Sequence, residues 1–92
     1  MNIIKTHTQT VIIDNKPHTL IHSLTEKDGV FGVSAVLGSE SAADTALTDS
    51  YTGAKRIFDI MCKEQVLPLN LYSVIDDMYG EDIGEAAAAK EG

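Results

Sequence analysis

Period-two alternation of apolar and polar residues fills the first half of the chain, and a helical period takes over in the second. Residues 2–13 (NIIKTHTQTVII) are rich in Ile, Thr and Val, side chains that suit a pleated surface. Asp14-Asn15 tolerates positive φ and precedes Lys16-Pro17, so a two-residue hairpin loop is expected there. A second strand over residues 17–25 begins at Pro17, whose missing N–H confines it to a strand start or an edge. Glu26-Lys27-Asp28-Gly29 reads as the next turn, with Gly29 suited to the left-handed conformation.

The third strand, residues 30–38, shows the clearest alternation. Phe31, Val33, Ala35 and Leu37 share one face, against Val30, Gly32, Ser34 and Val36 on the other. The first set is expected in the core, under the helices, and Gly32 and Ser34 suit a thinner, solvent-facing surface. Residues 38–41 read as a loop and 42–48 as a short fourth strand, although Ala and Asp are poor strand formers.

Thr48, Asp49 and Ser50 then offer three N-caps for a helix over residues 51–62, in which Ala54, Ile57, Phe58 and Met61 make one apolar stripe. Lys63-Glu64-Gln65 ends it, and Val66-Leu67 must be extended because Pro68 follows. Asn70 is expected to cap a second helix with the stripe Leu71, Val74, Ile75 and Met78, and Gly80 to end it. The expected architecture is α+β: an antiparallel three- to four-stranded meander followed by two C-terminal helices packed on one face. Residues 1–80 form this single domain, and residues 81–92 are expected to be an acidic, Ala-rich tail, frayed or disordered.

Composition narrows the function classes. The chain has 92 residues, enough for one domain with a thin core, and apolar residues at 43% are too many for wholesale disorder. Net charge is −7. That argues against a nucleic-acid binder, which needs clustered Lys and Arg, and against docking on an anionic membrane. Residues 81–92 hold four acidic side chains against Lys90, so the charge is uneven along the chain. One cysteine, Cys62, excludes an internal disulfide. With no signal-like or membrane-spanning apolar run, the expected setting is cytoplasmic.

The chemistry-bearing residues do not assemble into a motif. His7 and His22 face each other across the hairpin, but His18 lies about 13 Å from His22 along the strand, too far to share an ion. Surface or rim histidines are the expected reading. Cys62, near the end of an amphipathic helix, reads as a small half-buried hydrophobe rather than a nucleophile. The pairs Asp76-Asp77 and Glu81-Asp82 point about 100° apart on a helix and do not converge as a chelate. The spacing of Gly29, Gly32 and Gly38 matches no phosphate-binding loop, and no hydrolase elbow occurs. No catalytic, cofactor-binding or metal residue is therefore assigned. An enzyme would have to furnish its pocket from His7, His22, Tyr51, Cys62, Tyr72 and Tyr79.

The chain resembles a family of short, uncharacterised bacterial proteins, mainly of anaerobic Firmicutes, known only as a domain of unknown function. The likeness lies in the Thr-rich strand leading to Val11-Ile12-Ile13-Asp14, in the helix opened by Thr48-Asp49, and in the segment from Val66 to Asp77. In that segment an apolar-x-Pro step precedes an apolar helix that closes on an acidic pair. The likeness covers about residues 1–79, and residues 38–47 depart from it. It implies a fold and a lineage, and no functional residues.

The function expected from these readings is a non-enzymatic interaction module that binds a protein partner or itself, a homodimer being the simplest form. The alternative is a phage- or mobile-element-encoded acidic inhibitor of a nucleic-acid-handling enzyme.

Overall fold

The structure, a computed structural model, describes residues 2–78. Strands β1 (Asn2–Ile13), β2 (Lys16–Lys27), β3 (Val30–Leu37) and β4 (Glu40–Thr48) precede helix α1 (Tyr51–Glu64), a 3-10 turn (Pro68–Asn70) and helix α2 (Leu71–Met78). The strands form one antiparallel sheet in the order β1-β2-β3-β4. This is the expected α+β meander, and its fourth strand is present. The expected end of α2 at Gly80 and the tail at 81–92 lie outside the described residues.

Each hairpin closes through two residues. Asp14 and Asn15 both take positive φ (52° and 62°), as do Asp28 and Gly29 (53° and 82°), the requirement of a type I′ turn. Gly38 (φ 60°) opens the third turn, so the expected loop at 38–41 shrinks to Gly38-Ser39, and β4 starts at Glu40 rather than at residue 42. The first turn fixes Ile13 opposite Lys16 and, further along the same ladder, His7 opposite His22, the pairing expected from the sequence.

The same register puts Leu20, His22 and Leu24 of β2 beside Leu37, Ala35 and Val33 of β3, on one face. The helices cover this face. Ala54, Ile57, Phe58 and Met61 of α1 are all buried against it, and Leu71, Ile75 and Met78 of α2 join the same core. Burial of each such Leu, Ile, Phe or Met side chain contributes roughly 1.5–3 kcal/mol. Ser50 proves to be the N-cap of α1, its Oγ accepting the Gly53 N–H at 3.1 Å, and Gln65 ends the helix in the left-handed region (φ 53°). Asn70 is not the free-standing cap expected for α2. It is the last residue of the 3-10 turn opened by Pro68, and its N–H donates to the Leu67 carbonyl at 2.9 Å.

Gly32 overturns the thin-surface reading, for it is buried on the face away from the helices. Between Phe31 and Val33 the opposed residue in β4 moves from Thr48 to Asp44, so β4 carries extra residues there and bulges. The bulge lays its backbone over Gly32. A Cβ at this position would clash with the Asp44 carbonyl oxygen and lie 2.5 Å from the Thr45 Cα. Backbone is the obstacle, and backbone cannot swing aside. Gly32→Ala should therefore lower stability by about 1–3 kcal/mol in urea unfolding. Gly29→Ala, strained by φ alone with open space around it, should cost about 1 kcal/mol. Equal losses at the two positions would show that β4 does not sit on Gly32.

Candidate interaction surface

The helices leave β1 largely uncovered. A two-residue turn makes Ile13 and Lys16 a hydrogen-bonded pair, and the pattern then alternates along the ladder. Val11, Gln9, His7 and Lys5 therefore direct their backbone groups inward to β2. Thr6, Thr8, Thr10 and Ile12 direct N–H and C=O outward, where the sheet order places no strand among the described residues. The side chains of these four residues all point to the face without helices, since their partners include Thr19, Ile21 and Ser23, on the opposite side of β2 from Leu20, His22 and Leu24.

Two properties separate this edge from the one at β4. Lys5 is the sole charged side chain in residues 2–13, whereas β4 carries Glu40 and Asp44 together with its bulge. Three of the exposed large apolar side chains also lie on β1: Ile3 (64% exposed), Ile4 (41%) and Ile12 (67%). Native sheets usually blunt their edges with charge, bulges or short strands. Here β4 is blunted. β1 has only an irregularity between Ile3 and Lys5 near its start, and the ladder from Lys5 to Ile13 is regular.

The strand is held from below by polar contacts that sequence reasoning missed. Gln9 Nε2 donates to the Cys62 carbonyl at 2.9 Å, and Gln65 Nε2 donates to Gln9 Oε1 at 3.0 Å. Val11 is buried beside them along the strand. Nothing local marks Gln9, because its partners lie more than fifty residues away. The uncharged Thr-rich alternation of β1 was the legible signal.

The histidines divide three ways. His7 is exposed, His18 is half-buried, and His22 is fully buried, which corrects the expectation of surface or rim positions. A core slot opens for His22 because its neighbour across β3 is the small Ala35 and because Val66 offers a carbonyl. His22 Nε2 lies 2.7 Å from that oxygen. A carbonyl only accepts, so Nε2 carries the proton, and Nδ1 meets no partner among the described residues. Burial holds the imidazole below its ordinary pKa of 6.5, against the raising effect of the Val66 bond, and His7 pushes the same way as burial.

The other candidates stand apart from one another. Tyr51 meets Phe31 edge to face at 5.6 Å, and the Tyr72 hydroxyl donates to the Ala43 carbonyl at 2.9 Å. Tyr51 borders a surface depression of about 300 Å³ and Tyr72 another of about 560 Å³, and neither takes in a histidine or Cys62. Cys62 is half-buried, and burial, aided by Asp59, pushes its thiol up. Asp76 and Asp77 are exposed on α2, while Tyr79, Glu81 and Asp82 lie outside the described residues. Among the described residues no group of three His, Cys, Asp or Glu is placed to hold a metal ion, and no helix is long and apolar enough to cross a membrane.

The chain matches no family model, no curated protein and no solved structure.

Two outcomes follow from the titratable groups. Well above pH 6.5 His22 is neutral in both folded and unfolded chains; as pH falls toward 6.5 the unfolded chain takes up the proton first, so stability should fall as pH drops through and below 6.5. Urea unfolding as a function of pH should show this slope in the native chain and lose it in His22→Gln. The raised Cys62 thiol should react with iodoacetamide more slowly than a free cysteine at pH 8, and unfolding in urea should remove the difference.

Proposed function

We propose that the protein is a non-enzymatic interaction module that binds another protein chain by strand addition at β1. The observation that supports this reading is the outward row of backbone groups at Thr6, Thr8, Thr10 and Ile12, on an edge almost free of charge. An added strand gains main-chain hydrogen bonds there, and alternate side chains on the bare face supply specificity. A catalytic reading has less support: a depression of about 450 Å³ gathers Asp14, His18, Ser39 and Glu40, but among the described residues no hydrogen bond joins that histidine to the serine, and a nucleophile needs its base within such reach. A bacterial cytoplasmic setting goes with the reading, where Cys62 would stay a thiol.

The acidic-inhibitor alternative has weaker support. Imitating a phosphate backbone needs a run of carboxylates. Among the described residues the acids are shared between turns (Asp14, Asp28), strands (Glu26, Glu40, Asp44), the link before α1 (Asp49) and the helices (Asp59, Glu64, Asp76, Asp77).

Proline at positions 8 and 10 tests the reading, because those N–H groups face away from β2 and the β1–β2 ladder stays intact. The native chain as bait should retain a binding protein, a second copy included, that Thr8→Pro/Thr10→Pro bait loses while keeping its far-UV circular dichroism. Recovery of the same proteins on both baits would remove β1 as the binding edge.

A further inference from the structure

We infer that the strand added at β1 is β1 of a second copy of this chain, paired antiparallel about a two-fold axis at Gln9. The inference rests on the strand-addition reading and gives it one occupant. In an antiparallel pair the hydrogen-bonded positions must oppose one another, so outward-facing residues of one copy meet outward-facing residues of the other. The set Thr6, Thr8, Thr10 and Ile12 is symmetric about residue 9. Pairing about Gln9 sets Thr6 against Ile12 and Thr8 against Thr10 of the second copy, and reciprocally. No other register uses all four positions on both copies. The pairing forms about eight backbone hydrogen bonds, two for each of the four narrow pairs.

Side chains agree with this register. Thr8 against Thr10 is a favourable cross-strand pair, and it occurs twice. Ile12, 67% exposed in the single chain, opposes Thr6 of the second copy and lies toward the end of that strand that holds the exposed Ile3 and Ile4. Lys5 meets Ile13 of the second copy, one residue from the acidic Asp14 of its turn. Charge also selects the edge. Two chains of net −7 repel, and β1 is the edge that brings no carboxylate against a carboxylate within the strand. Pairing at β4 would bring Glu40 and Asp44 of both copies together. The Gln9 side chains point to the helix side and are already held by Cys62 and Gln65, so they do not obstruct the approach.

Light scattering behind size-exclusion chromatography, run over a concentration series, should give twice the chain mass for the native protein. Thr8→Pro/Thr10→Pro should give a monomer. Thr8→Lys/Thr10→Lys, which keeps every backbone group and sets lysines opposite lysines, should give a monomer at low salt and recover some dimer at high salt. The register is read by cross-linking. With Cys62→Ser as background, Gln9→Cys places two thiols on a non-hydrogen-bonded pair with Cα atoms about 4.5 Å apart, inside disulfide range. It should form a disulfide-linked dimer under mild oxidation. Thr8→Cys meets its own copy only on the diagonal, about 7–8 Å away, and should cross-link about tenfold more slowly. A native chain that stays monomeric at every concentration overturns the second copy as occupant; a different protein captured by native bait and lost with the proline variant would then still support strand addition. A dimer that survives both double substitutions, or cross-links faster through position 8, overturns the geometry.

Discussion

The helical part of the described chain is too small to roof its sheet. α1 and α2 have 14 and 8 residues, or about 21 and 12 Å of helix, whereas β1 has 12 residues and runs about 40 Å. The helices therefore settle where the sheet is most apolar, over β2, β3 and β4, and their stripes are spent on Leu24, Val33, Ala35 and Leu47. β1 receives what is left: a tether through Gln9 and one buried valine. Among the described residues, the bare face and the unpaired edge follow from that shortage of cover.

A polar side chain in so thin a core calls for a reason, and the linker supplies it. Val66 and Leu67 link α1 to Pro68 outside any helix or strand, Leu67 in extended backbone as the residue before a proline must be, and such a link under a helical layer has carbonyls to satisfy. His22 reaches up from the central strand to one of them. An apolar side chain of the same size would fill the space and leave that oxygen unpaired, at a cost of about 1–3 kcal/mol. The bond joins the sheet to the crossing between the helices, and the bare Nδ1 is the compromise it entails.

Much of the fold was legible in the sequence because local rules agreed. Asp14-Asn15 forced a turn, that turn forced the register, and the alternation from Phe31 to Leu37 named the covered face. The failures share one cause: distant backbone. Gly32 reads as a surface glycine until β4 lies across it, and His22 reads as a rim histidine until Val66 arrives from 44 residues away. Neither Asp44 nor Val66 carries any local mark of the part it plays. The candidate edge was half legible, since the uncharged Thr-rich pattern is in the sequence but the identity of the edge strands is a matter of sheet order. Asn70 failed for a milder reason, as Pro68 could open a 3-10 turn one residue after extended backbone and absorb it.

The bulge of β4 over Gly32 bears on more than local packing. A sheet with two open edges is a monomer unit for a filament, for each added chain presents a fresh edge to the next. Here the far edge of the sheet is bulged and carries Glu40 and Asp44, features that disfavour growth at that side. Any association through β1 consumes the single adhesive edge on each participant. The assembly then terminates after one step, and a glycine without a side chain is what permits a closed pair in place of an open-ended fibre.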